Sequence, residues 1–239
     1  MRTDYNIGNC NCHANNIDVN TTKKPAGISL RSDAPISRRD SIKAISWLKR
    51  NFGKQIAAAV EGTRYSADHI CGIACQETAY FWLPLIDKLS AEEVCARCVL
   101  DASGDAPNTT RKAFPSDTKA FRKAYGDERT DALIEEANKT RVLRGYGRKN
   151  WVYKGYGLFQ YDLQFVRVDP DFFFKKQWYR FDACLERVMR ELRGTWARHG
   201  NIFEAIRAYN GAGQRAAIYA QNVMAYSGFA GDVGETMLA

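Results

Sequence analysis

The stretch Ser66 to Trp82, SADHICGIACQETAYFW, constrains this chain more than any other. It predicts one short helix around which the rest is organised. Ser66 is placed to cap it, with Ala67 and Asp68 in a favourable first turn. Ile70, Ile73 and Ala74 recur at helical spacing and mark a face turned to a core. The next position on that face is Glu77. An ionised carboxylate is costly on an apolar face unless it is paired. Burial raises its pKa toward the value a general acid needs near neutral pH. Two readings follow. Glu77 is an acid–base group, or it pairs with a nearby Arg and braces the core.

The chain has 239 residues, which suits one large domain or a domain with a sizeable insertion. Its apolar content of 45% is enough for a sizeable core, and the net charge of +8 points to an anionic partner. Nucleic acid, an acidic membrane surface and an anionic cell-wall polymer all qualify. No apolar run approaches the roughly 18 residues of a membrane span. The opening MRTDYNIGNCNCHANN has no apolar core and does not read as a secretory signal.

Seven cysteines is an odd number, so at least one is free or pairs outside the chain. Cys10, Cys12 and His13 are close enough in sequence to share a metal, but a closed zinc site wants four ligands. Cys71 and Cys75 lie one helical turn apart, and Cys95 and Cys98 three residues apart. Crossed pairs 71–98 and 75–95 fit two antiparallel helices. Small buried thiols are the simpler reading. No metal or cofactor is expected.

Residues 1–36 are polar and read as a flexible arm. Ser37-Arg-Arg-Asp40 resembles a capping box and opens a helix with Ile42, Ile45, Leu48, Phe52 and Ile56 on its apolar face, kinked or split at Gly53. Residues 86–145 are of mixed charge. Ser90-Ala-Glu-Glu93 is a capping box. After a loop come two helical patterns, one with Phe121 and Tyr125, the other with Leu133, Ile134 and Ala137. The region reads as a helical insertion too poor in apolar residues to fold alone. Gly145 to Phe165, GYGRKNWVYKGYGLFQYDLQF, has no helical period. Its aromatics predict a β-hairpin and also suit stacking on sugars or bases, with Tyr156 a substrate-binding candidate. Leu185, Val188, Met189, Leu192 and Trp196 form the clearest amphipathic helix, stopped by Gly200. Asn201 caps the next helix, which ends at Asn210-Gly211. A last helix carries Ile218, Tyr219 and Val223. Residues 227–239 read as a loose tail.

Three separated pieces of this chain resemble one family, the lytic transglycosylases and goose-type lysozymes. They are Glu77-Thr78 after an apolar helix, Gly157-Leu158-Phe159-Gln160, and Ala208-Tyr209-Asn210 followed by Tyr219-Ala-Gln-Asn-Val223. The family counterparts are Glu-Ser, Gly-Leu-Met-Gln, and Ala-Tyr-Asn-Ala-Gly with a closing Tyr-x-x-x-Val helix. The match covers about 40–84 and 150–226, roughly half of the chain. The resemblance implies a mainly α, lysozyme-like domain over 37–226, with a small β-hairpin and the 86–145 insertion. It implies that Glu77 is the catalytic acid, and that Gln160 and the backbone around Phe159 line the cleft floor. Tyr209 would sit close to Glu77, and Asn210 would shape the wall. Asp162 is the candidate second carboxylate, which in an inverting hydrolase orients water from the opposite face. About 80 residues separate Glu77 from the Gly-Leu-Phe-Gln piece, where the family has a short link.

The resemblance implies a peptidoglycan-cleaving glycosidase acting on the β-1,4 bond between N-acetylmuramic acid and N-acetylglucosamine, at the cell wall or in the periplasm. A phage endolysin, a virion muramidase and an exported effector with its immunity protein are the settings expected for such an enzyme without a visible signal. Arg148, Lys149 and Lys154 would supply the basic character that muramic acid's carboxylate favours. Alternatives are a chitin-cleaving hydrolase and an inactive glycan-binding module. Nucleic-acid binding rests on charge and the aromatic–basic loop alone, since no helix carries a basic stripe.

Overall fold

The computed structural model describes residues 29–231. Cys10, Cys12 and His13 lie outside them. The protein is mainly helical with one small antiparallel sheet. Helix α1 (Arg38–Val60) is capped by Ser37, whose side chain accepts from the Asp40 amide. It buries Ile45, Trp47, Leu48, Phe52 and Ile56. The helix runs through Gly53 without the expected break. Phe52 and Ile56, before and after Gly53, are both buried in the core.

Helix α2 (Ala67–Ala74) is the central element and is buried from Ile70 to Ala74. Ser66 caps it in a capping box whose second partner is His69. It packs between α1 and α9 (Gly213–Ala230). The crossing with α9 is close because residue 72 is glycine. A Cβ there would stand 2.7 Å from both Ser227 Oγ and the Val223 carbonyl. After α2 the chain makes one π-helical turn, Cys75–Ala79, and then the short α3 (Tyr80–Trp82).

The 86–145 region is part of the same core. Helix α4 (Ala91–Arg97) has the Ser90–Glu93 capping box and leads into strand β1 (Val99–Leu100). Strands β2 (Gly155–Tyr156) and β3 (Tyr161–Asp162) form the expected hairpin, but β1 completes it as a three-stranded sheet in the order β1-β2-β3. Helix α5 (Thr118–Leu143) holds both of the helical patterns read there, joined at Gly126, whose φ of 78° requires glycine. Val94, Cys98, Val99, Phe121 and Leu133 belong to the main hydrophobic core. The few apolar residues of this region fold against the rest of the chain.

Helix α6 (Pro170–Phe174) precedes α7 (Phe181–His199), which stops at Gly200 in the left-handed conformation. Helix α8 (Ile202–Tyr209) is capped by Asn201. Among the residues read as an arm and a tail, Ile36 and Ala230 belong to the core. Ile36 is buried and exchanges backbone hydrogen bonds of 3.3 and 3.1 Å with the Tyr226 hydroxyl. Helix α9 continues past 227 to bury Ala230.

Candidate active site

Glu77 lies in the π-helical turn after α2. Such turns displace side chains from the regular helical register and are frequent at functional sites. The next residue, Thr78, is buried and donates a 2.8 Å hydrogen bond to the Leu158 carbonyl. Trp82 Nε1 donates to Thr78 Oγ1 at 3.0 Å. This pair ties the Glu77 turn to the Gly157–Gln160 loop between β2 and β3. Gly157 has a φ of 76°, and a Cβ there would stand 2.4 Å from Cys184 Sγ. Glycine is therefore required both by conformation and by space. Gln160 also has a positive φ, 50°, unusual for a residue with a Cβ. It is held there by its side chain, which donates to the carbonyls of Gly157 at 2.9 Å and Cys98 at 3.2 Å.

Above this loop lies a cavity of about 400 Å³ lined by Glu77, Phe159, Gln160, Asp162, Tyr209 and Asn210, with Glu191 and Val188 of α7. All seven site residues read from the sequence thus come together at one cleft, Tyr156 included. Tyr156 lies deepest in the packing. It is fully buried, its ring packed edge-on against Phe173 and Trp178 at 5.3 and 4.8 Å. Its ring packs in the core, and its hydroxyl has no hydrogen-bond partner among the described residues. Phe159 is 3% exposed, so its contribution is its carbonyl, which accepts from the Tyr209 hydroxyl at 3.2 Å. Asn210 is exposed and caps the end of α8.

Glu77 is half-buried and its pKa is raised to about 7. Burial is the main cause. The Tyr219 hydroxyl, which donates to Oε1 at 2.6 Å, pulls it down, and the nearby Glu191 charge pushes it up. No cation pairs with Glu77 among the described residues, so the bracing Arg is not found. Tyr209 and Tyr219 stand side by side with ring centroids 6.2 Å apart. Asp162 is held through Oδ1, which accepts from the Gln164 amide at 2.7 Å and from Arg111 Nη2 at 2.5 Å. Its Oδ2 has no hydrogen-bond partner among the described residues. Glu191 is half-buried, and its pKa is raised, chiefly by burial, with Arg190 opposing and Asp162 adding to the shift.

Three participants escaped the sequence reading. Tyr219 was visible as part of the last helix, but its role depends on how α9 crosses α2. Glu191 stands three residues after Val188, on the flank of the α7 apolar stripe. Arg111 sits in a loop of mixed charge and gave no signal. Two of the expected basic residues are committed elsewhere. Lys154 is fully buried in an ion pair with Asp105, and Arg148 pairs with Glu135. All five described cysteines are buried free thiols, so neither crossed pair forms. Among the described residues no group of three or more His, Cys, Asp or Glu is placed to hold a metal ion. No helix among them is long and apolar enough to cross a membrane.

No family model, curated protein or solved structure matches the chain.

Proposed function

We propose that this protein is a lysozyme-like glycosidase that cleaves peptidoglycan at the β-1,4 bond between N-acetylmuramic acid and N-acetylglucosamine. The observation that carries the reading is one of the three carboxyls lining the cavity, Glu77, held near pKa 7 with no neutralising cation among the described residues. Such a group is about half protonated at neutral pH and can readily give up its proton. Tyr219 occupies Oε1, which leaves Oε2 to carry the proton. In the reaction that proton passes to the glycosidic oxygen as the bond to the anomeric carbon breaks. The sugar left behind has oxocarbenium character. Asp162, anchored through Oδ1 by Arg111 and the Gln164 amide, keeps Oδ2 for a water molecule on the other face. If water attacks, the products end in reducing sugars. If the sugar's own 6-hydroxyl attacks instead, Glu77 takes back a proton and the product is an anhydro sugar. The three matched pieces meeting at one cleft support the family reading, and the net charge of +8 suits an anionic wall polymer. The protein would then act at the cell wall. An immunity or inhibitor protein filling the cleft would protect the producing cell.

The test compares the protein with Glu77→Gln on purified peptidoglycan and on chitin oligomers, with products identified by mass. Peptidoglycan fragments that vanish in the variant are expected, with the end group reporting the chemistry. Turnover confined to chitin moves the substrate. Intact polymers with both proteins reduce the site to glycan binding.

A further inference from the structure

One helical turn beyond Glu77 the surface changes character. Tyr80 is 45% exposed, and its hydroxyl pKa is raised, chiefly by burial, with the nearby Arg144 charge opposing and the Glu77 charge adding to the shift. Tyr80 opens α3, directly after the π-helical turn that carries Glu77. Arg144 follows the end of α5. Its guanidinium lies 5.2 Å from the centroid of the Tyr146 ring and 5.8 Å from that of Phe81. Lys149 Nζ lies 5.5 Å from the centroid of Trp151. Arg144 and Lys149 make no side-chain hydrogen bond or ion pair among the described residues. By contrast, Arg148 is paired with Glu135, and Arg141 is committed to the Gly147 carbonyl and the Tyr153 hydroxyl. Two uncommitted cations thus stand among aromatic rings, with Tyr146 51% exposed. Aromatic faces suit sugar rings, and guanidinium suits carboxylates.

We propose that Tyr80, Arg144, Tyr146, Lys149 and Trp151 form a binding subsite for the carboxylates of a glycan whose neutral sugars lie in the cleft. The ligand chemistry rests on the glycosidase reading, but the charge layout argues for it separately. The cleft itself is lined by three carboxyls, Glu77, Asp162 and Glu191. A densely charged polyanion such as nucleic acid would meet repulsion there at every step. A glycan with carboxylates only on some sugars or on their peptide stems can place neutral rings in the acidic cleft and its charges on the patch. Arg144 comes from the end of the 86–145 region, which has no counterpart in the short family link, and the other four residues lie just outside that region.

The test uses full-length Glu77→Gln protein, so that polymer is bound and not cut. Co-sedimentation with purified sacculi is measured for this parent, for the parent with Arg144→Gln and Lys149→Gln, and for the parent with Arg39→Gln and Lys54→Gln. The last pair removes equal charge from exposed positions on α1. The patch variant is expected to bind roughly tenfold more weakly, the loss of about one charge-assisted contact. The α1 variant should change by no more than about twofold. Converting the sacculus carboxylates to amides should weaken the parent and abolish the difference. Equal losses in the two variants would mean diffuse attraction and overturn the proposal. So would no loss, or a loss seen on phosphatidylglycerol vesicles and not on sacculi. Because sedimentation needs no turnover, a failure of Glu77 as acid leaves this result standing, and a failure here leaves the Glu77 test untouched.

Discussion

At Glu77 the burial that raises the carboxyl's pKa also costs stability. The folded carboxyl titrates near 7, above its ordinary 4.5. Between those values the folded state holds a proton the unfolded chain has released, so stability falls as pH rises through that window. Above pH 7 the deficit is full. Glu77→Gln removes this titration while its amide oxygen can still accept from Tyr219. It should therefore be more stable than the parent by on the order of 1–3 kcal/mol at pH 8, with the gap closing toward pH 4.5. Chemical denaturation at the two pH values checks it, and an equal gap at both would contradict the argument. Tyr219 acts in the opposite sense to burial, since its hydrogen bond stabilises the ionised form. In Tyr219→Phe the Glu77 pKa should rise further. The alkaline limb of the pH–rate profile should move up by as much as about one unit. A limb that stays in place would show that Tyr219 only packs.

The elements meet through a few positions where side-chain size or charge decides the geometry. Gly72 sets how closely α2 and α9 cross, and that crossing carries Tyr219 to Glu77. Ser227 can rotate away from a new methyl, but the Val223 carbonyl is backbone and cannot. Gly72→Ala should thus push the helices apart and cost about 1–3 kcal/mol in urea unfolding. The proposed activity should fall more than stability alone explains, because Glu77 loses its hydrogen bond from Tyr219. A second junction lies at Glu136 of α5, whose carboxylate is fully buried. It accepts from Arg97 of α4, Tyr179, Lys139 and Lys176 at 2.6–2.9 Å. Burial alone would raise its pKa. The four hydrogen bonds outweigh that and hold it at about 2. A lowered carboxylate stabilises the fold above its unfolded pKa, and the contribution fades as pH falls from about 4.5 to about 2. Glu136→Gln should cost about 3 kcal/mol at pH 7, because cations are left without their anion. The cost should shrink in acid, and a variant whose deficit is the same at pH 3 would rule the network out.

Across the whole molecule, α1, α2, α7 and α9 share one core with the 86–145 region, and the thiols lie within it. Cys71, Cys75, Cys95, Cys98 and Cys184 are all buried, and burial pushes Cys71 and Cys184 up to about 12. An alkylating reagent needs an accessible thiolate. Peptide mapping after iodoacetamide treatment of the folded protein should find these five unmodified, and after denaturation all five labelled. Native labelling at Cys95 or Cys98 would mean that the 86–145 region opens independently of the core. The sequence by itself determined the helical elements with strong local signals. Ser37, Ser66, Ser90 and Asn201 satisfy amides within one turn, and periodic apolar faces specify which side is buried. It also placed Glu77 on an apolar face, because that needs only a helical period. What the tertiary structure decided depends on residues far apart in the chain. Strand β1 pairs across more than fifty residues, Tyr156 goes into the core, and Arg111 reaches Asp162 from a loop with no local pattern. A hydrogen bond between Tyr219 and Glu77 spans 142 positions. Local spacing encodes what a segment becomes. Only packing, through steric limits such as Gly72 and the need of every buried polar group for a partner, selects which segments meet.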